Sequence, residues 1–125
     1  MMAPSATSPD AIDDLFGRQI PAAFLKSPRE AASIGQVFQI EITRGVGSVS
    51  RWHIDCRSLP PTCTPGAGTR KADSTVRMTD KDFLDLAKDP KSRVMALFFA
   101  GKIKIDGDPI VTMKIGKILD LLPKR

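Results

Sequence analysis

The run Phe98-Phe99-Ala100-Gly101-Lys102-Ile103-Lys104-Ile105-Asp106-Gly107-Asp108-Pro109 changes its period twice. It begins as the apolar end of a helix, which Gly101 stops by supplying the left-handed backbone of a helix terminus. Lys102 to Asp106 then alternates charged residue and isoleucine, the period of a strand with one buried face. Gly107-Asp108-Pro109 closes the strand and opens another helix, where the missing proline N–H costs nothing. One strand between two helices cannot bury its isoleucines alone. It needs a sheet, and the fold is decided by where the remaining strands lie.

Downstream, the last helix runs to about Leu122. Lys114, Lys117, Asp120 and Lys124 form its wet face, and Val111, Ile115, Ile118, Leu119 and Leu122 its apolar stripe. Ile110, Met113 and Leu121 widen that stripe beyond the roughly 100° arc that docking on a sheet requires. Upstream, Pro90 opens a helix from Lys91 to Phe99, similarly over-supplied by Val94, Met95, Leu97, Phe98 and Phe99. Before it, Thr79-Asp80-Lys81-Asp82 has capping-box spacing, and Phe83, Leu84, Leu86 and Ala87 give that helix its apolar side. The apolar surplus fits either two well-buried helices or the wall of an internal cavity. Met78, Met95 and Met113 suit an adaptable wall and ordinary gap-filling equally.

The other strands lie further upstream. Phe38, Ile40 and Ile42 alternate with Val37, Gln39 and Glu41, and a turn at Gly45-Val46-Gly47-Ser48 leads to a second strand over Val49 to Cys56. There Trp52, Ile54 and Cys56 share one face and Arg51, His53 and Asp55 the other. Thr62-Cys63-Thr64 is a short edge strand at most, because prolines flank it. A further strand is expected near Asp73 to Met78. At the start, Ser8-Pro9 caps a helix bearing Ile12, Leu15, Phe16 and Ile20, which Pro21 should interrupt. Ser27 and Glu30 have capping-box spacing for a short helix ended by Gly35. The order is one α+β domain, with helices on one face of a mostly antiparallel sheet.

The 125 residues suit a single domain, with 1–8 as a flexible tail and 9–125 folded. With 42% hydrophobic and 26% charged residues, disorder is excluded. No stretch reaches the roughly 18 apolar residues of a membrane span, and no signal peptide opens the chain. A soluble, intracellular protein is expected. The net charge is +5, and most of the excess lies in residues 71–125. There is no basic run and no Tyr, so nucleic acid is not an expected partner. Cys56 and Cys63 are too few for a metal set or a disulfide framework, and reduced thiols are expected.

The opening run resembles the signature of the sterol carrier protein 2 family, also called non-specific lipid-transfer proteins. Two further segments match in order and spacing: Ala72-Asp73-Ser74-Thr75-Val76-Arg77-Met78-Thr79-Asp80-Lys81-Asp82-Phe83, and Ile34-Gly35-Gln36-Val37-Phe38-Gln39-Ile40. The resemblance covers residues 10–122. It implies a five-stranded sheet covered by about five helices, with an apolar tunnel between them. It implies non-enzymatic binding and intermembrane transfer of sterols, fatty acids, acyl-CoA or phospholipids, with no cofactor. Carried over by position, the wall would include Phe83, Leu86, Val94, Met95, Phe98, Phe99, Met113, Ile118 and Leu122. The sheet would add Trp52 and Ile54, or Ile103 and Ile105, depending on which strand faces the tunnel. Lys102, Lys104, Lys114 and Lys117 are the expected contacts with an anionic membrane surface. A monomer is expected. The end Pro123-Lys124-Arg125 lacks the Ser-Lys-Leu type of peroxisomal address, which favours the cytoplasm.

Two rival readings remain. A domain of this kind can present lipid to a partner enzyme or serve as an interaction module. An enzyme would draw on His53 and Asp55, which share a strand face, but Cys56 points away from them and no second His could complete a metal site. The plainer expectation is a surface His–Asp pair.

Overall fold

The computed structural model describes residues 7–45, 47–68, 70–108 and 113–122. Helix α1 (Thr7–Asp14) passes through a π-helical turn (Leu15–Gln19) into α2 (Ile20–Lys26), and α3 (Pro28–Ile34) follows. Strands β1 (Val37–Thr43), β2 (Val49–Asp55), β3 (Thr62–Pro65) and β4 (Ser74–Thr79) come next. Helices α4 (Asp80–Lys88) and α5 (Pro90–Phe99), strand β5 (Lys104–Gly107) and helix α6 (Ile115–Asp120) complete the described chain. The expected start of the last helix at Pro109, with Ile110 and Val111, lies outside the described residues, as does Lys124.

The five strands form one sheet in the order β3-β2-β1-β4-β5. Three pairings are antiparallel, while β1 and β4 run parallel, Ile40 opposite Val76. The alternation read from the sequence sets the two faces. Phe38, Ile40, Ile42, Trp52, Ile54, Val76 and Met78 point at the helices and are buried. The opposite face carries Gln39, Glu41, Arg51, His53, Asp55, Thr75 and Arg77, with Arg77 and Arg51 both reaching Glu41 at 2.9 and 3.5 Å.

Phe16 ties the layers together. Its ring lies 5.4 Å from Trp52 of the sheet and 4.9 Å from Phe83 of α4, centroid to centroid. Ring pairs at these separations add about 0.5–1.5 kcal/mol each beyond the area they bury.

Three expectations at helix ends are corrected. Pro21 does not interrupt the first helix. The ladder has already slipped by one residue in the π turn, where the Ile20 N–H bonds to the Leu15 carbonyl, so the missing proline donor falls at a register change. Ser27 makes no side-chain cap. Its backbone does both jobs instead: its N–H closes α2 on the Ala23 carbonyl at 2.9 Å, and its carbonyl accepts from Ala31 at 3.0 Å. Ser8 is not the cap of the first helix either, since α1 already begins at Thr7. Elsewhere the Thr79 hydroxyl accepts from the Asp82 N–H at 3.1 Å, and Gly35 ends α3 with φ +65°.

Candidate functional site

The first helix presents Ala11, Asp14 and Leu15 on one side, and the widened π turn brings Gln19 onto the same side. Facing them, α4 offers Leu84, Ala87 and Lys88, and α6 with the residues after it offers Leu119 and Leu122. Between these elements lies a cavity of about 670 Å³, with Pro90 at its edge. That volume falls within the range of about 300–1,000 Å³ usual for small-molecule sites. Alanines at Ala11 and Ala87, where larger apolar residues would fill the gap between helices, keep the space open.

The cavity wall is apolar except for Asp14, Gln19 and Lys88. Asp14 accepts from the Arg18 guanidinium at 2.9 Å and from the Gln19 amide at 2.7 Å. The Arg18 bond, then the Gln19 bond, hold its carboxyl below the usual carboxylate value. Gln19 also borders a second space of about 210 Å³, shared with Arg18, Ala22, Ala23, Lys26, Ser27 and Leu121. One amide side chain thus stands between the two.

The structure distributes the expected wall residues among three places. Leu122 lines the larger cavity. Trp52, Ile54, Phe83, Leu86, Val94, Ile103 and Ile118 are buried in the core behind it. Phe98, Ile105 and Met113 are half-buried, whereas Met95 is 39% and Phe99 76% exposed on the outer side of α5. The sheet's inner face is filled by Phe16, Phe83 and Leu86, so among the described residues the open space lies between helices. Lys102, Lys104 and Lys117 are exposed and Lys114 is half-buried. The small residues Ala11 and Ala87 and the polar Asp14, Gln19 and Lys88 were not singled out as lining. Their signal was faint: alanine within an apolar helix face.

The His53–Asp55 pair is not on the surface, contrary to the sequence reading. His53 is 4% and Asp55 7% exposed, with Gly68 packed against the His53 ring and Arg70 paired to Asp55. Gly68 lies flat on the imidazole, where a Cβ would stand 2.1 Å from Cδ2. His53 Nδ1 lies 3.2 Å from the Gln39 side-chain oxygen, and Nε2 is buried without a partner among the described residues. Burial would raise the Asp55 carboxyl, but the Arg70 guanidinium at 2.9 Å and the Arg57 and Ser58 N–H groups outweigh it and lower it. Burial pushes the thiols of Cys56 and Cys63 up to about 12, with the charges of Asp55 and Cys56 adding to it respectively, so neither is a nucleophile near neutrality. Among the described residues this corner is a buried polar clasp. Among the described residues no helix is long and apolar enough to cross a membrane.

Comparison with known proteins bears on the cavity. The model of the SCP-2 sterol transfer family matches residues 18–120. Sterol carrier protein 2 of Homo sapiens is 34% identical over 83 residues, which make up 66% of this chain and 15% of that protein. The chain thus spans under a fifth of the length of the curated relatives it matches. Among solved structures, the apo form of Sterol Carrier Protein 2 from Yarrowia lipolytica aligns with a TM-score of 0.67 at 19% identity, covering 93% of this chain and 89% of that one. The Aedes aegypti Sterol Carrier Protein-2 complex with palmitate aligns with a TM-score of 0.59 at 17% identity, covering 84% and 97%.

Proposed function

The chain belongs to the SCP-2 sterol transfer family, and from that premise we propose that it binds single lipid molecules in the cavity between α1, α4 and α6 and carries them between membranes. The observation that carries the reading is the apolar space of about 670 Å³ walled by Leu15, Leu84, Ala87, Leu119 and Leu122. A sixteen-carbon acyl chain buries about fifteen CH₂ and CH₃ groups, worth roughly 12 kcal/mol of transfer from water at about 0.8 kcal/mol each. Such a ligand needs a dry cavity more than any particular side chain. Sterols, fatty acids, acyl-CoA and phospholipids are therefore all within its range. The similarity to a structure that holds palmitate supports the fatty-acid member of that set.

In this reading the core residues Phe83, Leu86, Val94, Ile103 and Ile118 hold the cavity's helices in place, and Trp52 and Ile54 pack in the core behind them. The exposed Lys102, Lys104 and Lys117, with Lys114, attract anionic lipid during pick-up and delivery. The protein acts as a monomer and without a catalytic step. A second reading has the domain present lipid to a partner enzyme. It is favoured by the match filling only 15% of its human relative.

Native mass spectrometry of freshly purified protein, followed by organic extraction, tests binding directly. One or a few copurified lipid species are expected. Protein that is empty and also refuses a fluorescent fatty acid would show the space to be ordinary packing slack. Ala87→Phe fills the cavity without adding charge, and uptake should fall at least tenfold with the fold intact. Unchanged uptake would move the site elsewhere. Copurification with an enzyme would favour the second reading.

A further inference from the structure

The outer side of α5 is apolar where a helix on a soluble domain is ordinarily polar. Val94 and Leu97 face the core, while Met95 and Phe99, one turn apart, face outward. The Phe98 and Phe99 rings lie 5.6 Å apart, extending the apolar edge round the end of the helix. Ser92, Ala96 and Ala100, also exposed, are too small to cover it.

That edge is held stiffly. The Lys102 N–H bonds to the Leu97 carbonyl at 2.9 Å and the Gly101 N–H to the Phe98 carbonyl at 3.0 Å, with Gly101 at φ +74°. This paired closure of the helix end fixes Phe99 beside an exposed lysine. From Pro90 to Ile105 the sequence carries Lys91, Arg93, Lys102 and Lys104 and no acidic residue. Arg93 reaches Asp85 only at 3.9 Å. The patch is therefore apolar at its tip and cationic around it, complementary to anionic headgroups above an acyl layer.

We infer that the outer face of α5 docks on an anionic bilayer, Phe99 and Met95 entering the headgroup–acyl boundary while Lys102 and Arg93 meet lipid phosphates. The inference rests on the lipid-carrier reading and adds where the carrier meets its membrane. Pro90, at the other end of the same helix and about 14 Å away along its axis, edges the cavity.

Co-sedimentation with phosphatidylcholine vesicles, with and without phosphatidylserine, tests it, alongside fluorescent fatty-acid uptake in vesicle-free solution. The wild type should favour the phosphatidylserine vesicles at low salt. Phe99→Asp should lower that partition by about tenfold or more, and Lys102→Glu should remove the preference for anionic lipid. Phe99→Asp should take up fatty acid as the wild type does. Wild-type partition by Phe99→Asp, or equal binding to both vesicle types, overturns the inference. So does a concentration-dependent dimer that Phe99→Asp dissolves, which would make the patch a self-interface. If the wild type takes up no fatty acid yet sediments with vesicles through Phe99, the carrier reading fails and the docking face stands.

Discussion

Gly68 shows how much one missing side chain can decide. A methyl group there would stand within 2.1–2.5 Å of three His53 ring atoms, a distance no packing adjustment absorbs cheaply. Gly68→Ala is expected to cost about 1–3 kcal/mol in urea unfolding, and His53→Ala in the same background should recover part of it. A loss that His53→Ala leaves untouched would place the strain in the loop backbone instead. Asp55 gives a pH dependence of definite sign. Its native pKa is depressed, so its contribution is complete above the unfolded value of about 3.9 and is lost as pH falls through the native one. Arg70→Gln should move the acid-unfolding midpoint to higher pH, read by circular dichroism. None of this clasp was legible in the sequence. His53 and Asp55 occupy the polar parity of β2, and their partners Gly68 and Arg70 come from an irregular passage beyond β3. Periodicity carries no information about such passages.

At the scale of elements, two spacings that look alike in sequence behave differently. Thr79 and Ser27 each stand three residues before an acid, yet only Thr79 accepts a backbone N–H of the helix start with its side-chain oxygen. Thr79→Ala should cost about 1 kcal/mol, whereas Ser27→Ala should change stability by less than about 0.5 kcal/mol, both measured as shifts in urea midpoint. The difference lies in the preceding backbone. Thr79 leaves a strand at φ −80°, ψ 159°, while Ser27 leaves a helix whose Ala23 carbonyl already accepts from its N–H. Alternation and glycine stops gave every strand to within a residue or two, because both are local. The cavity was readable only in part for the same reason. Surplus apolar residues mark a helix as buried on two sides, but which of them face a void depends on the neighbouring helices. Thus Leu122 borders the space, while Phe99, equally apolar, faces outward.

For the whole molecule, the uneven charge is the property most open to test. Residues 71–125 hold 12 basic and 8 acidic side chains against 7 and 6 before them, so most of the excess lies in the second stretch, with α5 carrying Lys91 and Arg93 and no acid. Transfer of lipid to anionic vesicles should slow as ionic strength rises from about 0.01 to 0.15 M, over which the screening length shrinks from about 30 to 8 Å. Stopped-flow transfer of a fluorescent fatty acid would measure it. A rate indifferent to salt would remove the lysines from the mechanism while leaving the cavity reading whole.

The parallel pairing of β1 with β4 reaches beyond geometry to the order in which the protein is made. β1 and β2 can close as a hairpin once the chain reaches Asp55, but β1 stays open on its other edge until Ser74–Thr79 has been synthesised. Phe16 likewise waits for Phe83, its partner across the core. A nascent chain halted between these points exposes a strand edge and an aromatic ring together, the combination that invites chaperones or aggregation. Survival on the ribosome, as much as stability once folded, should therefore be set by the stretch between Cys56 and Asp73.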